Sequence, residues 1–312
     1  MDVSGLEPIE QTALLTEYCR ALDSRAERPI LGDAWAAATV GQIDYDFTTL
    51  AATPSVVPLV ALRAKMLDER IGSFIRDHRA AVVVDLGAGF SSAVHRVDPP
   101  PGVGWYSVDL PAVIAIREAL LPPRAGEHLV AASLLEPNWV DTIPSDRPAM
   151  VFADGLVAFL DEPSVRAILS CVTSHFTSGV VAFNDYGPVG KGNRLLGRLA
   201  TSSKANSPHS QWNFPGFSDA HRPETWNPAL TLLEEASVMQ RPEAGMFPPG
   251  LRLASRLSHR IPAIARKARV LQYGFRLRPN CCCRPPTPSW SHGAQHRCGG
   301  RRRHVRPARG SR

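Results

Sequence analysis

Apolar side chains recur at helical spacing through the first quarter of the chain. Within residues 11–28 the stripe consists of Leu14, Leu15, Tyr18 and Leu22, the spacing of one face of an α-helix. Two further helices are predicted at Asp33–Ile43 and Val57–Ile75. We therefore predict an N-terminal helical cap over residues 1–78, which covers part of the site in the domain that follows.

After residue 78 the pattern changes to short apolar runs that alternate with amphipathic segments. The run Ala80–Val84 is continuously apolar, which is typical of a strand buried on both faces of a parallel sheet. Helix-like segments follow at Pro111–Leu121 and Pro163–Phe176. The other strand-like segments are Trp105–Leu110, His128–Ser133, Met150–Ala153, Val180–Asn184, Leu230–Met239 and Arg269–Phe275. This alternation predicts right-handed βαβ units and an α/β fold with a doubly wound, mostly parallel, seven-stranded sheet over residues 79–279.

Two regions fall outside this alternation. Residues 187–230 are rich in Gly, Pro, Asn and Ser and are predicted to form a long insertion with a helix or two. Residues 280–312 contain almost no aliphatic side chain, so they cannot bury enough surface to offset the entropy of ordering, and we predict a disordered basic tail. The abrupt change of composition also fits a translational frameshift. The adjacent cysteines at 281–283 lack the paired spacing of zinc sites, so no metal is predicted.

The net charge of +6 is concentrated at one end of the chain. Residues 276–312 carry ten Arg and no acidic residue, which leaves residues 1–275 with a net charge of −4. A mildly acidic body argues against nucleic acid as a partner. No run of about 18 apolar residues is present, and residues 1–10 lack the positive start of a secretory signal. With only two cysteines in the body, Cys19 and Cys171, these features predict a cytoplasmic protein without a membrane segment.

The candidate chemistry begins in the segment Val84–Ser92. It places an acid and then Gly87-Ala88-Gly89 directly after the buried strand, where glycines permit a tight turn and a close approach of backbone N–H groups to a ligand. Asp109, at the end of the next strand, has the spacing of an acid that holds ribose hydroxyls. Ser92 stands where the nicotinamide fingerprint has Gly or Ala, which favours S-adenosylmethionine over NAD(P). An NAD(P)-dependent oxidoreductase stays the alternative.

Several segments in a fixed order carry a family resemblance. They are Thr12–Leu15, Leu31–Asp33, Leu62–Asp68, Trp105–Pro111, Ser133–Trp139, Ala153–Leu160 and Val270–Phe275. With the glycine turn, they make residues 11–275 resemble the leucine carboxyl methyltransferase family, especially its bacterial branch of polyketide-type O-methyltransferases. The resemblance implies a Rossmann-like fold, S-adenosylmethionine as cofactor, and methyl transfer to a carboxylate or hydroxyl of a small metabolite. A protein C-terminus is the other acceptor class that the family offers.

The resemblance also implies a role for each matching position. Arg63 is expected to pair with the cofactor's carboxylate, for which a guanidinium offers two parallel hydrogen bonds. Asp109 is expected to accept hydrogen bonds from the ribose, with Leu110 beside it at the cofactor. The turn residues expected at the cofactor are Asp85, Gly87, Ala88 and Gly89, with the two glycines along its methionine portion.

Other positions match the family less closely. Ser133 stands where the family often has Asp beside the adenine, and Leu134 is expected against the adenine ring. Asp154 stands where many members have Glu, and it is expected near the methionine amine. Arg20 matches a basic position in the N-terminal segment and is expected to help close the site.

The acceptor side is less well marked. In-line methyl transfer requires mainly alignment of the reactants, and a carboxylate acceptor needs no general base, whereas a phenol or alcohol benefits from one. Asp185 is the candidate base, because it follows a predicted strand at the edge where ligands bind in open α/β sheets. His209 and His221 are further candidates, but their spacing in the sequence does not connect them with the site. Aromatic residues of the insertion form either an acceptor pocket or satellite core: Trp212, Phe214, Phe217 and Trp226. A cofactor-binding protein without catalysis also stays open.

Overall fold

Seven strands form one sheet in the middle of the protein. The computed structural model describes residues 1–3, 5–7, 9–187 and 212–276. The strands are β1 (Val82–Leu86), β2 (Gly104–Asp109), β3 (Glu127–Ala131), β4 (Ala149–Ala153), β5 (Ser178–Asp185), β6 (Leu230–Ser237) and β7 (Arg269–Arg276). Their order is β3-β2-β1-β4-β5-β7-β6, with β7 antiparallel to both of its neighbours and the other pairs parallel. The predicted doubly wound, mostly parallel, Rossmann-like sheet is confirmed.

Helices lie on both faces of this sheet. In the described parts of the chain they are α1 (Thr12–Ser24), α2 (Ala34–Val40), α3 (Val56–Asp77), α4 (Ala93–Val97), α5 (Pro111–Leu120), α6 (Glu162–His175), α7 (Arg222–Trp226), α8 (Pro249–Ser258) and α9 (Pro262–Ala265). The first three, α5 and α6 correspond to the helices expected from the apolar spacing. The sequence analysis missed α4, because a helix of 5 residues is too short to display a helical period.

Alternate side chains of the strands enter two apolar layers, one on each face of the sheet. Val82 and Val84 of β1 lie in the layer with α6, whereas Val83 lies in the layer with α3 and α4. All three are fully buried, as expected for a central strand of a parallel sheet. A third apolar cluster joins α1 and α2 to Phe90, just after the glycine turn. The first two helices are therefore anchored next to the predicted cofactor segment.

The predicted domain boundaries have a less simple structural counterpart. Met66 of α3 shares an apolar layer with Val83 of β1 and Met150 of β4, so α3 packs on the sheet itself. The boundary at residue 78 and the separate cap over residues 1–78 stay predictions. Most of the predicted insertion, residues 188–211, lies outside the described residues, as does the predicted tail 280–312. Among the helices of the described residues, none combines the length and apolar character that crossing a membrane requires.

Gly179 and Gly274 are strand glycines that differ in the space around them. A Cβ on Gly179 of β5 would lie 2.1 Å from the backbone oxygen of Ala149 in β4, so backbone would have to move. A Cβ on Gly274 of β7 would meet only the side chain of Leu233, 3.2 Å away, and Leu233 is 55% exposed. Only the first glycine is required by the close approach of two strands.

We predict that Gly179→Ala lowers the free energy of unfolding by about 2–3 kcal/mol, because overpacking against backbone cannot be relieved by a rotamer change. Gly274→Ala is the matched control and should change it by less than about 1 kcal/mol, since Ala also reduces the entropy of the unfolded chain. Chemical unfolding followed by circular dichroism measures both variants. Equal stability of the two would contradict the described pairing of β4 with β5.

Candidate functional site

An open cavity of about 180 Å³ lies at the carboxyl-terminal edge of the sheet. Its floor is formed by the segments that follow β1, β2, β3 and β4, and its far wall by α1. Ligands of open α/β sheets bind at this edge. The lining residues that sequence analysis had named are Arg20, Asp85, Gly87, Ala88, Gly89, Asp109, Leu110, Ser133, Leu134 and Asp154. Ten of the eleven residues expected at the cofactor are thus brought together; Arg63 is not among the lining residues.

The glycine turn is held between two other elements. Gly87 and Gly89 have backbone φ angles of +66° and +51°, in the left-handed region that side chains disfavour. A Cβ on Gly87 would lie 3.0 Å from the Leu156 side chain, and a Cβ on Gly89 would lie 3.2 Å from that of Ala13 in α1. The backbone conformation therefore favours glycine at both positions, and the close side chains add to that preference, which explains the spacing seen in the sequence.

Asp109, at the end of β2, binds the glycine turn through its carboxylate. Its Oδ2 accepts a hydrogen bond of 2.7 Å from the backbone N–H of Gly89, and its Oδ1 accepts one of 2.7 Å from the N–H of Leu110. Burial raises the pKa of this carboxyl, although the two N–H donors oppose the shift. A carboxylate has about four lone-pair sites, so Asp109 keeps acceptor capacity for a ligand in the cavity.

Asp85, at the end of β1, lies under the turn. Its side chain is 2% exposed, and its Oδ2 has no hydrogen-bond partner among the described residues. Burial raises the pKa of Asp85 to about 7; the Arg117 cation lowers it, and the neighbouring Asp154 and Asp109 raise it. Because this oxygen is buried and unpaired, it can accept a hydrogen bond from a ligand or pair with a cationic group of a ligand.

Asp154, which follows β4, holds two arginines. The Nε of Arg63 lies 2.7 Å from its Oδ1, and Nη1 of Arg20 donates to its Oδ2 at 3.5 Å. Arg20 is also paired with the fully buried Glu17 at 2.6 Å. Arg63 donates a further hydrogen bond to the hydroxyl of Tyr186. Arg63 thus lies behind Asp154, one residue away from the cavity rather than in its wall.

Ser133 and Leu134 lie in the cavity wall after β3. The Ser133 hydroxyl oxygen accepts a hydrogen bond of 3.2 Å from the N–H of Leu135, so it stabilises its own turn. Leu134 is half-buried and packs against the apolar layer that contains α6. The carboxylate that the family often has here is replaced by a small hydroxyl.

Asp185 does not line this cavity. Its carboxylate accepts hydrogen bonds from Nε of Arg269 at 2.8 Å, from the N–H of Gly187 at 3.0 Å and from the N–H of Phe217 at 3.1 Å. Asp185 and Arg269 are 3% and 1% exposed, and they join β5 to β7. This geometry gives the predicted general base no support and favours a structural ion pair.

The other acceptor-side candidates also lie elsewhere. His221 is exposed and pairs with Glu224 at 2.7 Å, and His209 lies outside the described residues. Phe214 and Phe217 are buried in the apolar layer with α6, and Trp226 packs against it, so these three side chains form core. Trp212 stacks on Tyr186 at 4.4 Å between ring centroids.

Sequence analysis missed one wall of the cavity. Thr12 and Thr16 of α1 line it together with Arg20, and Phe159 and Leu160 line it from the segment after β4. The first three positions are four residues apart, which puts them on one face of a helix. This spacing is the feature of the sequence from which the helix wall could have been predicted. No such spacing marks Phe159 and Leu160.

Comparisons with known proteins bear on this site. The model of the leucine carboxyl methyltransferase family matches residues 13–173. The tetracenomycin polyketide synthesis O-methyltransferase TcmP of Streptomyces glaucescens is 34% identical over 274 residues, which are 86% of this chain and 98% of TcmP. The S-adenosyl-L-methionine-dependent methyltransferase dpfgK of Gibberella zeae is 32% identical over 55% of this chain and 63% of its own length.

A solved structure shows the fold independently. A candidate methyltransferase from Thermobifida fusca has a TM-score of 0.50 at 14% identity, with 83% of this chain and 94% of that chain covered. The relatives decide between the two cofactor classes that the glycine turn left open, in favour of S-adenosylmethionine. The chain belongs to the leucine carboxyl methyltransferase family and is an S-adenosylmethionine-dependent methyltransferase.

Proposed function

We propose that this protein transfers a methyl group to a carboxylate oxygen of a small, apolar, polyketide-like metabolite. The observation that carries the proposal is that the lining of one cavity combines carboxylates with apolar side chains. Its floor holds Asp85, Asp109 and Asp154, and Phe159 and Leu160 line it from the segment after β4. Such a lining suits a cationic cofactor next to an apolar acceptor. The relative TcmP is an O-methyltransferase of polyketide synthesis, which supports oxygen as the methylated atom.

The floor fits S-adenosylmethionine by charge and by shape. That cofactor supplies an electrophilic methyl group on a sulfonium, and it also carries an ammonium and ribose hydroxyls. The unpartnered Oδ2 of Asp85 is a buried acceptor for a cation, and Asp109 has acceptor capacity for hydroxyls. The space above Gly87 and Gly89, which a Cβ would narrow, admits close approach of a ligand to backbone.

The residues therefore divide by role. Asp109 would hold the ribose, and Asp85 with Asp154 would hold the methionine end. Leu110 and Leu134 would border the adenine from the segments after β2 and β3. Arg20, already paired with Glu17 and Asp154, would close the wall on the side of α1. Arg63 would reach the cofactor's carboxylate only after its pairing with Asp154 is rearranged.

The acceptor side favours a carboxylate over a hydroxyl. Among the described residues that line the cavity there is no His, Lys or Tyr. Of its acids, Asp85, Asp109 and Asp154 are assigned to the cofactor, which leaves Glu10, whose Oε2 accepts a hydrogen bond from the N–H of Glu7. A phenol or alcohol must lose a proton during methylation and benefits from a base, whereas a carboxylate has no proton to lose. S-adenosylmethionine, held by Asp85, Asp109 and Asp154, would supply the methyl group to the acceptor oxygen, and its sulfur would keep the electron pair of the broken carbon–sulfur bond. Alignment of the two reactants is then the main catalytic requirement.

Asp109→Asn should weaken the binding of S-adenosylmethionine by about 10- to 100-fold, the usual loss for a hydrogen bond to a charged group. Asp98→Asn is the matched control, since Asp98 is an exposed acid, paired with Arg124, outside the cavity. Isothermal titration of S-adenosylmethionine into each folded variant measures the effect, with NADH as the competing probe. Unchanged affinity in Asp109→Asn, or binding of NADH alone, would contradict the assigned floor.

The affinity for S-adenosylmethionine should rise as the pH increases from about 6 to 8. A cation beside Asp85 favours its ionised form, and the pKa of Asp85 is about 7, so affinity grows by at most about tenfold per pH unit below that value. The stability of the free protein changes in the opposite sense. Because the folded pKa exceeds the ordinary 3.8, the contribution of protonated Asp85 is lost as the pH rises toward 7.

Asp85→Asn separates this effect from titration of the ligand's own amine. Titrations of wild type and variant across the same pH range share the ligand's protonation, so the difference between the two curves belongs to Asp85. We expect the difference to shrink as the pH falls below about 7, because the carboxyl of the free protein is then increasingly protonated and resembles the amide of the variant. Parallel curves over the whole range would mean that Asp85 does not face the cofactor.

An aromatic carboxylic acid and the matching phenol distinguish the acceptor classes. With methyl-labelled S-adenosylmethionine at a saturating concentration, we expect a methyl ester from the acid at a rate that is flat from pH 6 to 9, because its carboxyl is ionised throughout. Asp185→Asn should lower the Tm, since Arg269 would lose its buried partner, but leave that rate unchanged. Methylation of the phenol alone, lost in Asp185→Asn, would instead restore Asp185 as a general base. Cofactor binding without methylation of either probe would support a non-catalytic protein.

A further inference from the structure

A buried arginine lies behind the glycine turn, outside the cavity. Arg117 of α5 is 1% exposed. Its Nη1 donates hydrogen bonds to the backbone oxygen of Gly89 at 3.2 Å and to that of Ser91 at 2.5 Å. One guanidinium thus holds two carbonyls of the segment whose glycines line the cavity.

Two further residues fix the orientation of this arginine. Its Nη2 donates to Oε1 of Glu127 in β3 at 2.9 Å. The hydroxyl of Ser107 in β2 donates to the same Oε1, also at 2.9 Å. The chain of contacts Ser107–Glu127–Arg117 therefore connects β2, β3 and α5 to the turn after β1. We define these three residues as the turn clamp.

We infer that Arg117 is a positioning residue of the cofactor site: by holding the Gly89 and Ser91 carbonyls away from the cavity, it sets the conformation in which the Gly89 N–H meets Asp109. The inference rests on the proposed function of this cavity. On the cavity side, the same glycine donates to Asp109 at 2.7 Å. Gly89 is therefore gripped from both sides, and loss of either contact frees its left-handed backbone.

Electrostatics supports the same role. Arg117 is a cation close enough to lower the pKa values of both Asp85 and Asp109, against the effect of their burial. Burying an ion pair such as Arg117–Glu127 seldom adds net stability over apolar residues of equal volume. Packing alone therefore does not explain why this ion pair is buried. Its effect on the geometry of the turn and on the charge of the adjacent acids does.

The test uses Arg117→Lys, which keeps the charge, and Arg117→Gln, which removes it. Each full-length variant is titrated with S-adenosylmethionine from pH 6 to 8, and its Tm is measured without ligand. Arg124→Lys is the matched control: Arg124 also bonds an acid, Asp98, and a loop carbonyl, that of Pro99, but at a different loop.

We expect Arg117→Gln to bind S-adenosylmethionine about 10- to 100-fold more weakly, the size of loss that misplacement by about 1 Å produces. Its affinity should also rise with pH through a midpoint above that of wild type, because Asp85 loses a neighbouring cation. Arg117→Lys should lose affinity but keep the wild-type midpoint, since the charge stays and the two-carbonyl grip does not. Arg124→Lys should match wild type in both respects.

A merely structural arginine would lower the Tm of both variants without moving the affinity or the midpoint, and that result would overturn the inference. Should Arg117→Gln not fold, Ser107→Ala provides the milder test, because it removes only the hydroxyl that orients Glu127. We then expect a twofold to fivefold loss of affinity at full folding, on the order of one neutral hydrogen bond. Wild-type affinity in Ser107→Ala would then overturn the inference, whereas a wild-type chain that binds no S-adenosylmethionine would contradict the proposed function instead.

Discussion

The left-handed turn after β1 is the constraint on which the rest of the site depends. Gly87 and Gly89 take positive φ angles, and a Cβ on Gly87 would lie in tight contact with Leu156, as one on Gly89 would with Ala13. α1 and the segment after β4 therefore contact the turn at the carboxyl-terminal edge of the sheet, where both line the cavity. α1 thus contacts the glycine turn directly, whereas α3 packs on the sheet itself.

Charge is the second constraint, because this edge gathers carboxylates that repel one another. Burial raises the pKa values of Asp85 and Asp109, and the charges of Asp154 and Asp109 raise that of Asp85 further. Arginines offset part of the negative charge: Arg63 and Arg20 at Asp154, and Arg117 at the turn. The surface of the cavity stays acidic, so a positively charged ligand would neutralise the negative charge that the arginines do not offset.

The sequence predicts most of the sheet and most of the floor because both are local. A buried parallel strand shows as an apolar run, and the cofactor residues follow directly after such runs, as Asp85 and Asp109 do. The remainder depends on contacts between distant segments. Arg63 lies behind Asp154 because the two are paired across 91 positions of the chain, and no local pattern encodes that. The five-residue helix α4 is too short to show a helical period, and no periodic spacing marks the cavity residue Phe159.

Asp185 and Arg117 show why position along the chain is a poor guide to role. Asp185 follows a strand at the ligand-binding edge, yet three donors occupy its carboxylate and it joins β5 to β7. Arg117 lies in the last turn of the amphipathic helix α5, yet its guanidinium reaches the glycine turn. Both belong to buried arginine–acid pairs of similar geometry, Asp185 with Arg269 and Arg117 with Glu127. What separates them is the backbone that each arginine also binds: Phe217 in one case, and the glycine turn itself in the other.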